Sequence, residues 1–191
     1  MSEENNVLDE LKHILEEVKT WLHFGEAKHG ALLAINLILI FKCTDFFINI
    51  EEKKIIGSKV FLIIIMTLYL FSTIISLISF MPKLNKLDDS DVDEDSNSTT
   101  NNLLNFFGDI KKYSSSKQYL RDVYYKYFNM EQTSNFPLIE QDYAKEIIIN
   151  SQITNRKFKL FKWCVIIDIL ATIMLLIFWI GNVLDVSITI I

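Results

Sequence analysis

Glycine, proline and cysteine are scarce in this chain of 191 residues, which has five, two and two of them. So few glycines form no glycine-rich phosphate loop, and no Walker lysine, GxSxG or HExxH pattern is present. Two cysteines and three scattered histidines (His13, His23 and His29) lack metal-ligand spacing, so no metal site is expected. No carboxylate pair suggests acid–base chemistry either, and an enzyme is not expected. The opening stretch MSEENNVLDELKHILEEVK is acidic and amphipathic, unlike a cleavable leader. A net charge of −5 argues against a nucleic-acid polymer as partner.

Apolar runs are what the chain has in quantity. Residues 31–50, 60–81 and 163–184 each supply about 20 residues, enough at ~1.5 Å per helical residue to cross a ~30 Å hydrocarbon core. The second run carries no charge, and the third carries one, Asp168. A soluble core helix rarely needs such length without a polar face. The expected fold is an all-α integral membrane protein with transmembrane helices over 30–50, 60–81 and 163–184. Residues 1–29 and 83–162 would form a helical region outside the bilayer. In the first run Lys42 and Asp45 can share a face at i and i+3, where lysine can snorkel. Cys43 and Cys164 should lie toward opposite membrane faces, too far apart for a disulfide.

Lys and Arg concentrate in 83–162, and Arg156, Lys157, Lys159 and Lys162 abut the third run. That bias puts 83–162 and the N-terminus in the cytoplasm, with Trp163 and Trp179 as interfacial anchors. Asp88, Asp89, Asp91, Asp93, Glu94 and Asp95 precede a polar SNSTTNN stretch, so 88–102 reads as a disordered acidic linker.

Val7, Leu8, Leu11, Ile14, Leu15, Val18, Trp21 and Leu22 recur at three- and four-residue spacing, predicting an amphipathic helix that enters the first span without a proline. Residues 118–128 read as a helix with Tyr119, Val123 and Tyr127 on one face and a cap among Ser114–Ser116. After Phe136 and Pro137 another helix is expected to run from Leu138 into the third span, with Ile139, Tyr143, Ile147, Ile153 and Phe161 as its apolar positions. Inside the membrane, Asp168 and Asn36 stand out. An intramembrane acid is a functional candidate, although pairing with a polar neighbour explains it equally well. Ser72, Thr73, Ser76 and Ser79 offer hydrogen bonds between helices.

FGEAKHGALLAINLILI (24–40) resembles the opening of the Pycsar transmembrane effector family (PycTM), whose pattern runs F-A-D-x-K-A-x-x-L-L-A-I-N-G. Phe24, Lys28, Leu32, Leu33, Ala34, Ile35 and Asn36 match; Glu26 stands where the pattern has Asp, and Gly25, His29 and Leu37 depart from it. FFGDI (106–110) and YAKEIIINSQITNRKFKLFKW (143–163) resemble the family's later elements, in the same order. The likeness covers nearly all of the chain except the acidic linker. It implies a bacterial antiphage effector of the inner membrane, switched on by cyclic CMP or cyclic UMP from a companion pyrimidine cyclase. The effector then impairs the membrane and aborts the infection. A single three-span protomer has few ways to form a pore alone, so a homo-oligomer in the lipid bilayer is expected. No cofactor is expected beyond the nucleotide ligand.

Such a ligand needs a cation for its phosphate, an aromatic face for its base and polar groups for its edges. Arg156, Lys28 and Arg121 are candidates for the phosphate. Phe106, Tyr143 and Tyr124 are candidates for stacking, and Asn150, Gln141 and Glu26 for the base or ribose. Two other readings stand beside this one: a membrane scaffold or adaptor presenting helices to a protein partner, and a pore-forming effector gated by another signal.

Overall fold

The acidic amphipathic start and the first apolar run form one uninterrupted helix, α1 (Ser2–Asn49). The computed structural model describes the backbone of residues 2–49, 56–81, 103–130 and 135–189, with the side chains of 6–49, 58–81, 103–130 and 135–182. The expected disordered linker over 88–102 lies outside the described residues. After α1 come α2 (Ile56–Ser79), α3 (Phe107–Ile110), α4 (Ser116–Phe128) and α5 (Leu138–Thr189), with no strand among the described residues. At 48 and 52 residues, α1 and α5 are about 72 and 78 Å long, well beyond a bilayer of ~40–45 Å including headgroups. Each must therefore extend outside the membrane.

Two compact units result, residues 1–26 with 82–158 and residues 27–81 with 159–191. The first is built like a water-soluble domain. Val7, Leu11, Ile14, Leu15 and Val18 of α1 join Tyr119, Leu120, Val123 and Tyr124 of α4 and Ala144, Ile147 and Ile148 of α5 in one core. Each large aliphatic buried there contributes about 1.5–3 kcal/mol. Local chemistry sets the helix ends. Ser115 Oγ accepts from the Lys117 N–H at 3.3 Å, and Asn129 closes α4 with φ 53°, a left-handed conformation that asparagine tolerates. The Pro137 carbonyl accepts from the N–H groups of Glu140 and Gln141 as α5 begins. The Tyr119 hydroxyl donates to the Leu104 carbonyl at 2.7 Å, and burial pushes its phenol well above the usual value.

Two expected faces are corrected here. Tyr127 is 42% exposed, because a residue eight positions after Tyr119 is rotated about 80° from it and leaves the core stripe. Ile139 is also exposed; α5 buries Glu140, Ala144, Ile147, Ile148, Ser151, Thr154 and Lys157 instead.

The second unit is apolar outside. Ile38, Phe41, Leu70, Phe71, Leu170 and Ile177 are 52–68% exposed, a surface suited to contact with hydrocarbon. Its interior holds Asn36, Ser72, Ser76, His29 and Asp168 beside an apolar cluster of Cys43, Leu62, Ile65, Tyr69 and Ala171. α1, α2 and α5 are all long and apolar enough to span a membrane. Lys42 and Asp45 do pair, at 3.8 Å on the outer surface of α1. Cys43 and Cys164 are both buried and free, in different layers of this unit.

Replacing Leu11 by Ala should remove about 2–5 kcal/mol of stability from the first unit, read as a lower unfolding temperature in detergent. Leu37→Ala, on the lipid-facing surface, should leave that temperature nearly unchanged.

Candidate functional site

Within the first unit α1 and α5 run parallel and leave a groove of about 400 Å³ between them. Lys12, Leu15, Glu16 and Lys19 line one wall; Ile139, Asp142, Tyr143 and Glu146 line the other. The spacing of Lys12, Glu16 and Lys19 places them on one side of α1, beside its buried stripe. Lys12 Nζ is 2.9 Å from Asp9 Oδ1, a bond that raises the lysine pKa, and Lys19 Nζ is 2.9 Å from Glu146 Oε1. The Lys19–Glu146 pair has both side chains nearly half exposed, and such pairs are worth only about 0.2–1 kcal/mol, so a ligand anion can displace it cheaply.

Elsewhere in this unit the aromatic rings gather. Phe107 stacks on Phe158 with centroids 5.4 Å apart, and Trp21 and Phe106 lie 5.9 and 4.7 Å from Phe107. A Cβ at Gly108 would come within 2.3 Å of the Phe106 ring, so only glycine lets that ring lie where it does. Trp21, Phe24 and Phe106 each stay more than 40% exposed. Glu26 Oε1 accepts from Lys157 Nζ at 2.9 Å, and this bond holds the carboxyl below its ordinary pKa. Lys111 Nζ donates to Asn155 Oδ1 at 2.7 Å.

Of the ligand residues suggested by sequence, Tyr143 alone lines the groove. Tyr124 is buried with its hydroxyl donating to Glu140 at 2.8 Å, Gln141 Nε2 donates to the Phe136 carbonyl, and Glu26 is held by Lys157. Arg121 and Phe106 are exposed, while Asn150 and Arg156 are half-buried on α5. From Gln141 to Arg156 is about 22 Å along the helix, further than one mononucleotide reaches. Lys28 belongs to the other unit, with Nζ 5.5 Å from the centre of the Phe161 ring. Lys12 and Lys19 went unrecognised because reading α1 by its apolar stripe ignores the charged positions that line the groove.

Inside the second unit Asn36 and Asp168 do come together. Asn36 Nδ2 donates to Asp168 Oδ2 at 3.3 Å and to Ser72 Oγ at 3.2 Å. On one side of this node His29 Nδ1 lies 3.3 Å from Ser76 Oγ, which donates to Cys164 Sγ at 3.5 Å. On the other, Thr172 Oγ1 donates to the Asp168 carbonyl and lies 3.0 Å from the Tyr69 hydroxyl. Asn36 Oδ1, Asp168 Oδ1, Thr73 Oγ1 and Ser79 Oγ are buried without a hydrogen-bond partner. An interhelical hydrogen bond in a membrane averages about 0.6 kcal/mol, whereas an unsatisfied buried polar atom costs about 1–3 kcal/mol. As adhesive between helices alone, this node is a poor bargain.

A family model described as the Pycsar effector protein domain matches residues 10–183, from α1 through α5. The chain belongs to the PycTM family. It is a Pycsar effector of antiphage defence, and its three apolar helices make it a multi-pass membrane protein. No curated protein and no solved structure matches it. In this PycTM chain the node residue Asn36 and the ion-paired Glu26 both fall within the matched region.

The Glu26–Lys157 pair gives a pH signature. Because the folded carboxyl has the lower pKa, its contribution is complete above about pH 4.3, the unfolded value, and fades as pH falls through the folded one. Glu26→Gln should therefore lower the unfolding temperature at pH 7, and the gap to wild type should narrow in melts below pH 4.3.

Proposed function

We propose that the chain is a ligand-gated membrane effector. Its first unit lies in the cytoplasm and senses cyclic CMP or cyclic UMP supplied by a companion pyrimidine cyclase. Its second unit then impairs the bacterial inner membrane and aborts the infection. One observation carries this reading: the groove is walled by α1 and α5, the same two helices that continue as spanning segments. A ligand that changes their spacing there acts on helices with no break through which the change would dissipate.

In this reading the groove's residues divide among the parts of such a nucleotide. Lys12 and Lys19 take the single phosphate charge, and Tyr143 offers a face to the base. Glu16, Asp142 and Glu146 accept from the 2′-hydroxyl and from base N–H groups. Lys and Arg clustered ahead of the third span support a cytoplasmic first unit and N-terminus. The exposed Trp21, Phe24 and Phe106 supply an apolar patch on which a second copy packs, in keeping with a homo-oligomer. No catalytic step belongs to this proposal.

Calorimetry on detergent-purified protein tests it. Wild type should bind cyclic CMP or cyclic UMP, and Lys12→Ala with Lys19→Ala should weaken binding by at least about tenfold. Arg121→Ala, outside the groove, should bind as wild type does. Failure of wild type to bind either nucleotide would overturn the assignment, as would unchanged binding by the double variant.

A further inference from the structure

The polar node around Asn36 and Asp168 belongs to a file that stops abruptly. From His29 it passes along the interior of the second unit to Tyr69 and Thr172, about 12 Å along α5 when measured from Cys164. Past Tyr69 the interior becomes apolar. Leu62, Ile65 and Cys43 are buried together with Met174, Leu175 and Phe178 packed against their cluster, and Phe61 stacks with Phe178 at a centroid distance of 6.1 Å. A row of buried oxygens, two on Asn36 and Asp168 still lacking partners, thus ends at an apolar plug.

Every unpartnered atom in the file is an oxygen, and one belongs to a carboxylate. A carboxylate and an amide oxygen offer no proton, so they attract cations and repel anions, and hydroxyls serve either. Hydroxyls and an amide can replace part of a hydration shell, whereas an apolar constriction stops hydrated ions by excluding water. A file of buried polar groups and an apolar cluster beyond it lie within one three-helix bundle.

We propose that this file is one of the few ways open to a lone protomer: a route for small monovalent cations within its own three spans, held shut by the Leu62–Ile65 plug. The inference deepens the effector reading: impairment of the membrane is a cation leak through each bundle, opened when α2 parts from α5 between Ile65 and Leu175. Asp168 supplies the charge selectivity, and Asn36 orients that carboxylate through its amide.

The test needs no nucleotide, so it separates this inference from the sensing assignment. Full-length protein carrying Leu62→Ser and Ile65→Ser is placed in liposomes under a potassium chloride gradient, and the diffusion potential is read with a voltage-sensitive dye. The leak should rise at least about tenfold over wild type, with the sign set by potassium rather than chloride. Adding Asp168→Asn should remove that selectivity. Helicity and monodisperse elution report whether the variant folds; Leu62→Thr, closer in shape to the native side chain, is the substitute where the double variant does not. A folded plug variant no leakier than wild type would overturn the route, as would a leak that Asp168→Asn leaves cation-selective.

Discussion

In hydrocarbon, a leucine gains little by touching another helix rather than a lipid tail, so apolar contact alone leaves three spans free to slide. The Asn36 amide removes that freedom. Its two donated bonds reach Ser72 on α2 and Asp168 on α5 at once, tying all three spans at one level. Sliding α1 by a single turn, about 5.4 Å, would strand both acceptors in a medium that offers no replacement. The ring contacts of His29 with Phe80 and Phe161, and the tyrosine hydroxyl at Tyr69, fall into place around that register.

The same two helices obey opposite rules along their length. Near its start α1 hides Val7, Leu11 and Ile14 and shows Lys12 and Glu16. Later it hides His29 and Asn36 and shows Ile38 and Phe41. Changing which class of side chain faces inward, while keeping a spacing of three and four residues, lets one rod serve water and lipid without a joint. Charge pairs mark the watery part: Lys19 with Glu146 and Glu26 with Lys157 join α1 to α5 where solvent or a partial shell of it remains.

Much of this was legible in the chain itself. The uncharged stretch over 60–81 gives α2, and the absence of proline from either long segment predicts unbroken rods. The buried stripe of Val7, Leu11, Ile14 and Val18 follows from spacing. What resisted reading was the face of α5. Its buried residues include Ala144, Ser151, Thr154 and Lys157, so a search for large apolar side chains selects Ile139, on the wrong side. Small and polar residues let helices approach closely or carry a charge inward, and neither role leaves a hydrophobic signature. His29 was similarly silent, because a histidine beside Gly30 gives no hint of a hydrogen-bond partner on another helix. The ligand residues suffered from a different ambiguity. Tyr124, Gln141 and Glu26 have suitable chemistry, but each is committed to an internal partner.

The first unit draws its core from the two ends of a long sequence interval, Val7–Val18 on one side and Ala144–Ile148 on the other. A ribosome producing about 5–20 residues per second needs roughly 6–25 s to travel between them. For most of that wait, until Leu104 and then α4 are made, the apolar stripe of α1 has no mate, while two spans are already available to the insertion machinery. Biogenesis is therefore ordered: anchoring precedes completion of the water-facing half, and a truncated translation product would present a sticky, unfinished helix for chaperones or proteases to find.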